Sequence, residues 1–168
     1  ALSSAASDVY KRQGYDTLRI YREYNLALSS RSLMDYDDQM VTALDILRKY
    51  PDILAYFNGR FRYICVDEAQ DTSKIQHEII RLLAAKSGNI FMVGDEDQSI
   101  YAFRGAYPEA LIDFEKTYKN AQILFMEQNF RSTPEIIGVA DSFVKCNRFR
   151  REKTIRAVNK SGIPVRIV

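Results

Sequence analysis

This 168-residue chain has no tryptophan, one histidine, two cysteines, four prolines and seven glycines. Each scarcity excludes something. Cys65 and Cys146 are too few for a disulfide framework, which points to a reducing compartment. His77 has no partner at metal-ligand spacing and reads as a packing or surface residue. No apolar run approaches the ~18 residues of a membrane span, and no basic-then-apolar signal segment opens the chain. The 24 basic and 22 acidic side chains leave a net charge of +2, which rules out a polycation that binds by bulk charge. A local groove of cations and aromatics stays open as a nucleic-acid site. What is present is a 46% share of hydrophobic residues, enough for a packed core. The chain reads as a cytoplasmic globular protein with no membrane partner.

Both ends look cut. Residues 1–13 are Ala/Ser-rich and then basic, and read as a leader foreign to the fold. Ile163 to Val168 reads as a strand just beginning. Between the ends, Gly14 to Ser30 has helical periodicity, with Leu18, Tyr21, Asn25 and Leu28 on one side. The acidic stretch Asp35-Tyr36-Asp37-Asp38 precedes Met40, Val41, Leu44 and Leu47 at helical spacing, stopped at Pro51. Such a cluster caps a helix and meets its dipole, or holds a metal.

The centre alternates strands with helices. Arg62–Val66, Asn89–Val93 and Gln122–Met126 are β-rich runs. Helices are expected around Ile75–Leu83, after Pro108, and after Ser132-Thr133-Pro134-Glu135, whose residues suit a helix start. Cys65 falls in the first strand and reads as a small core residue. This order predicts βαβ units and a parallel α/β sheet flanked by helices.

In such a sheet, ligands bind beyond the carboxyl ends of the strands. The first strand is followed by Asp67-Glu68-Ala69-Gln70-Asp71. Adjacent carboxylates repel unless something positive lies near them, and Mg²⁺ carrying a nucleotide phosphate would do so. Asp71 could equally cap the next helix. The second strand runs into Gly94-Asp95-Glu96-Asp97-Gln98-Ser99-Ile100-Tyr101-Ala102-Phe103-Arg104-Gly105-Ala106. Tyr101 and Phe103 beside Arg104 fit either core packing or a path for a single nucleic-acid strand. The third is followed by Gln128-Asn129-Phe130-Arg131-Ser132-Thr133, where an arginine next to an aromatic suits a phosphate and a stacked base.

In this order, the three stretches resemble motifs II, III and IV of the UvrD/Rep/PcrA-type superfamily 1 DNA helicases, from about Ser32 to Phe143. The resemblance implies a RecA-like, P-loop NTPase type of fold. It divides the chain into 14–34 as the end of an inserted subdomain, 35–130 as the later part of a first motor domain, and 131–168 as the start of a second. It also implies hydrolysis of ATP coupled to 3′–5′ movement on single-stranded DNA and unwinding of duplex, in repair or replication. By motif II, Asp67 would serve Mg²⁺ through water and Glu68 would be the catalytic base. By motif III, Gln98 would sense the γ-phosphate, Tyr101 and Phe103 would stack on DNA bases, and Arg104 would link the two sites. By motif IV, Phe130 would stack on adenine and Arg131 would act as an arginine finger.

Two features depart from the family pattern. Position 103 is phenylalanine where tryptophan is common, a smaller π-surface. None of the seven glycines precedes a lysine, so these residues hold no G-x-x-x-x-G-K-[ST] phosphate loop. The 168 residues alone are therefore expected neither to hydrolyse ATP nor to unwind DNA. Two other readings share the same motifs: the motor subunit of an AddA/RecB-like helicase–nuclease, and a non-catalytic DNA-binding module.

Overall fold

The computed structural model describes residues 2–100, 105–147 and 150–166, with side chains from residue 14 onward. The chain is mixed α/β and forms two compact units, Ala1–Pro51 and Asp52–Val168. Among the described residues no helix is long and apolar enough to cross a membrane.

The first unit is helical. Helix α1, Leu2–Ser30, begins well before Gly14, since the Ala, Ser and Lys-Arg residues ahead of it tolerate helical backbone. It ends with Ser32 in the left-handed region (φ 54°), where Leu33 N–H donates to Leu28 and Ser32 N–H to Ser29. These two bonds satisfy carbonyls that the last turn would otherwise leave unpaired. Helix α2, Tyr36–Lys49, has Asp35 as its N-cap, with Asp35 Oδ1 accepting from Asp38 N–H at 2.8 Å. The acidic stretch therefore caps a helix. Leu44 and Leu47 are buried on its inner face.

The second unit carries the expected βαβ core. Helix α3, Pro51–Arg60, leads to β1, Ile64–Val66. Helix α4, Lys74–Ala84, crosses over to β2, Ile90–Met92, and pairs it parallel to β1. A full capping box starts α4: Ser73 Oγ accepts from Gln76 N–H, and Gln76 Oε1 accepts from Ser73 N–H at 2.7 Å. Short helices α5, Glu109–Ile112, and α6, Phe114–Thr117, follow. A second two-stranded parallel sheet joins β3, Gln128–Asn129, to β4, Arg156–Ala157, with α7, Pro134–Val144, as its crossover.

Three expectations are corrected here. Gln122–Met126 is not a strand; no described strand offers it an edge, and Leu124 and Met126 stay exposed. Residues 163–166 are not a strand either, the pairing having been taken up earlier by β4. Cys65 is exposed, because only the Ile64 and Val66 face of β1 is half-buried, and the opposite face, where Cys65 sits across from Phe91, is open.

Polar contacts fasten the stretch after α7. Arg150 grips Asp97 through two bonds, Nε at 2.9 Å and Nη2 at 2.8 Å, with both side chains nearly buried. Lys153 Nζ reaches Asp95 at 2.5 Å, Asp97 at 3.1 Å and Glu96 at 3.3 Å. Arg151 N–H donates to Glu96, while its guanidinium meets Glu115 and the Ile112 carbonyl. Further along, Thr154 N–H donates to the Glu127 carboxylate and Arg156 N–H to the Glu127 carbonyl. Residues 150–156 thus tie residues 95–97 to the start of β3.

Burial pushes Asp97 up, but the hydrogen bonds from Arg150 and Lys153 outweigh it and hold the carboxyl below its usual range. Its folded pKa being depressed, its contribution to stability is full above the ordinary value of 3.8 and lost as the pH falls further. Arg150→Ala leaves Asp97 with Lys153 alone and lowers unfolding free energy by up to about 3 kcal/mol. The urea midpoint at pH 7 measures this, and the deficit shrinks as Asp97 is protonated below pH 3.8. An equal deficit at both pH values would show that the charge pair is not its source.

Candidate functional site

Parallel pairing puts the carboxyl ends of β1 and β2 at one edge, so Asp67-Glu68 and Gly94-Asp95 emerge side by side. The junction is stitched by backbone bonds: Val93 N–H donates to Val66, and Ala69 N–H to Val93. Glu68 adopts left-handed backbone (φ 48°, ψ 43°), which costs a non-glycine residue about 1–2 kcal/mol. From there the chain enters a 3₁₀ turn at Ala69–Asp71. Asp67 Oδ1 accepts the Glu68 N–H at 2.9 Å, and both carboxylates are exposed.

The strain is offset by the residue two positions on. Gln70 is 1% exposed, and its amide bridges the two loops: Nε2 donates to Glu68 Oε2 at 2.6 Å, and Oε1 accepts from Asp95 N–H at 3.0 Å. The Gln70 carbonyl also accepts from the Ser99 hydroxyl at 3.3 Å. Sequence reasoning did not single out Gln70. The available signal was a polar side chain directly after a strand, facing a glycine at the end of the neighbouring one.

Asp95 caps the next 3₁₀ turn, Glu96–Gln98, accepting from Asp97 N–H through Oδ1. Its Oδ2 accepts from Gln98 Nε2 at 2.8 Å. Gln98 then lines an open cavity of about 520 Å³ whose other walls are Gln128, Asn129, Phe130 and Arg131. Phe130 is 69% exposed, with its face available. Asn129 Oδ1 shapes this loop by accepting from both Arg131 N–H (2.9 Å) and Ser132 N–H (2.8 Å), while Asn159 Nδ2 donates to the Phe130 carbonyl. Three residues chosen from the sequence, Gln98, Phe130 and Arg131, therefore share one cavity. Asp67 and Glu68 do not line it; Glu68 connects to it through Gln70 and Asp95.

Tyr101, Phe103 and Arg104 lie outside the described residues. The flanks of that stretch are fixed: Ser99 by Gln70, and Ala106 by an antiparallel bridge to Ser73, with Gly105 at φ 79°. His77 is half-buried, 2.5 Å from the Thr72 hydroxyl and edge-on to Tyr107; burial pushes its pKa down. Among the described residues no group of three or more His, Cys, Asp or Glu side chains could hold a metal. Asp67, an exposed hard-oxygen donor, still fits the one-carboxylate contact that Mg²⁺ makes when phosphates supply the rest.

The contact between the loops requires Gly94. A Cβ there would lie 2.7 Å from Gln70 Oε1, 2.7 Å from Leu111 Cδ1 and 3.2 Å from Ala69 N. Gly94→Ala is expected to cost about 1–3 kcal/mol by overpacking, read as a lower urea midpoint. In a Gln70→Ala background the same change costs less, because one of its two clashes has gone. Equal costs in both backgrounds would sink this account.

Comparison with known proteins identifies the family. Residues 3–119 match the family described as the UvrD/REP helicase N-terminal domain. The chain is 41% identical over 143 residues to the ATP-dependent DNA helicase PcrA of Staphylococcus aureus, covering 85% of this chain and 20% of that protein. The PcrA of Staphylococcus epidermidis is 40% identical over the same length and coverage. The chain spans about a fifth of the length of these curated relatives. On the extent of the family match and the level of identity, the chain belongs to the UvrD/REP helicase family.

Proposed function

We propose that this chain is the segment of an ATP-dependent 3′–5′ DNA helicase in which nucleotide chemistry meets the DNA track. The single observation that carries the reading is the shared cavity of Gln98, Phe130 and Arg131, joined to Glu68 through the Gln70 amide. On this reading 35–130 belongs to a first RecA-like motor domain and holds the β1–β2 sheet, 131–168 begins a second, and the β3–β4 sheet spans the boundary between them. The phosphate-cradling loop and the later motifs lie elsewhere in the whole protein.

Each residue then has a role that its surroundings permit. Phe130, exposed beside the cavity, stacks on adenine. Arg131 lends positive charge to the γ-phosphate as it leaves, an effect worth about 10³–10⁵ in rate. Gln98 meets the same phosphate with the second N–H that its bond to Asp95 leaves over, and its amide oxygen is left to accept from the attacking water. Glu68 takes the proton of the attacking water, its carboxylate aimed by left-handed backbone and by Gln70. Asp67 would hold Mg²⁺ through water, and the ion would neutralise phosphate charge. Tyr101 and Phe103 stack on bases of the tracking strand, with Arg104 linking the two sites; Ser99 and Ala106 anchor the stretch at both ends. Single-stranded and partly duplex DNA are the macromolecular substrates, and repair or replication is the setting.

In the full-length protein, Glu68→Gln and Arg131→Ala should each lower DNA-stimulated ATP turnover by about 10³. Glu68→Gln should keep its affinity for a fluorescent ATP analogue. Wild-type turnover in Glu68→Gln would overturn the catalytic assignment, and absence of DNA-stimulated turnover in the unmodified full-length protein would favour the binding-module reading. Separately, Phe103→Ala should weaken single-stranded DNA binding by about 1–3 kcal/mol while leaving DNA-free ATP affinity unchanged. A fluorescence-anisotropy titration with oligo(dT) checks this, and unchanged affinity would remove Phe103 from the track.

A further inference from the structure

Gln98 is exposed, and a free glutamine side chain has several rotamers to lose before it can act on a phosphate. What holds it is one carboxylate oxygen of Asp95, at 2.8 Å. The other oxygen of that carboxylate takes two donors, Asp97 N–H at 3.1 Å and Lys153 Nζ at 2.5 Å. Lys153 is 12% exposed, 58 residues away in sequence, and the matched motifs assign it no part.

The electrostatics explain why the lysine matters. Asp95, Glu96 and Asp97 are consecutive carboxylates, and among the described residues the cations that reach their side chains through ion pairs are Arg150, on Asp97, and Lys153, on all three. Among the described residues, removing Lys153 would leave the turn with three negative charges against one guanidinium. Asp95 is the most exposed of the three carboxylates, so it is the one free to relieve the repulsion by turning to water. Gln98 would lose its anchor in the same motion.

We infer that Lys153 is a positioning residue for Gln98, acting through the shared carboxylate of Asp95. The stretch that carries Lys153 also carries β4, which pairs with Gln128 and Asn129, and Asn159, which holds the Phe130 carbonyl. One continuous stretch, 150–159, therefore grips both walls of the cavity and sets the spacing from Gln98 to Arg131. This rests on the reading of Gln98 as a γ-phosphate contact. On that reading Lys153 belongs to the second motor domain and Gln98 to the first, so the relay crosses the joint between them.

The test is a double-mutant cycle on DNA-stimulated ATP hydrolysis in the full-length protein, at saturating single-stranded DNA. Gln98→Ala and Lys153→Met should each lower kcat about tenfold, with KM for ATP held within about twofold, and the double variant should be no slower than Gln98→Ala. A lysine that only stabilises the fold would lower the urea midpoint and multiply its loss with that of Gln98→Ala. Multiplied losses, or wild-type kcat in Lys153→Met, would overturn the relay while leaving the role of Gln98 intact. Wild-type kcat in Gln98→Ala would overturn the reading beneath it. Should Lys153→Met fail to fold, Asp95→Ala closes the same cycle, since it removes the shared carboxylate and leaves Lys153 its Glu96 and Asp97 partners.

Discussion

The buried amide of Gln70 is the contact on which the site depends. Its nitrogen holds the Glu68 carboxylate and its oxygen holds the Asp95 backbone, so one planar group spaces the loops after β1 and β2. A buried amide left without partners is costly, and this cost rises steeply if either loop moves away. The geometry is therefore enforced from both sides. Gly94 permits the close approach by presenting no Cβ, and parallel pairing brings the strand ends to one edge. Glu68 can sit in left-handed backbone because Gln70 and the Ala69 backbone bond hold the turn that follows it.

The second constraint is electrostatic. Three consecutive carboxylates at 95–97 would spread apart in water, and burial beneath the 150–153 stretch raises the stakes. For Lys153, burial acts to lower the pKa, but the bonds to Asp95 and Asp97 outweigh it and hold the ammonium above its usual range. For Arg150, the bonds to Asp97 likewise outweigh the effect of burial. Asp97 and its two cations thus each favour the charged form of the other. The result is a turn whose shape depends on residues more than fifty positions downstream.

Local chemistry was legible in the sequence, and long-range pairing was not. The β1–α4–β2 order followed from β-rich runs around a helical period, and the Asp35 cap from an acidic residue before an apolar helix. Of the cavity residues, Phe130 and Arg131 stood out because an arginine and an aromatic follow a β-rich run, and Gln98 through the resemblance to motif III. The run Gln122–Met126 misled for a physical reason: its composition suits a strand, but a strand needs a neighbour's hydrogen bonds. β3 then forms two residues later, where β4 supplies them. Cys65 misled in the same way, since alternation predicts which residues share a face but not whether that face is covered. Arg150 and Lys153 had a signal that passed unused: three adjacent acids require cations, and the Arg150-Arg151-Glu152-Lys153 stretch supplies them.

The choice of polar contacts rather than apolar packing at this joint has a mechanical consequence. Among the described residues the buried apolar side chains are Leu44, Leu47, Ala69 and Ala84, whereas residues 95–97 and 150–153 meet through ion pairs and hydrogen bonds. Apolar packing resists separation in proportion to the area it would expose. A buried ion pair adds little net stability, yet it discriminates sharply between one partner and another. A joint built from Asp95, Asp97, Arg150 and Lys153 can therefore be specific in geometry without being costly to rearrange. On the proposed reading, such a joint suits parts that must hold a phosphate contact in register and release it within a cycle. On the proposed reading, Gln98 sits at the end of this set of contacts, and its amide would carry the position of the Asp95 carboxylate to the cavity.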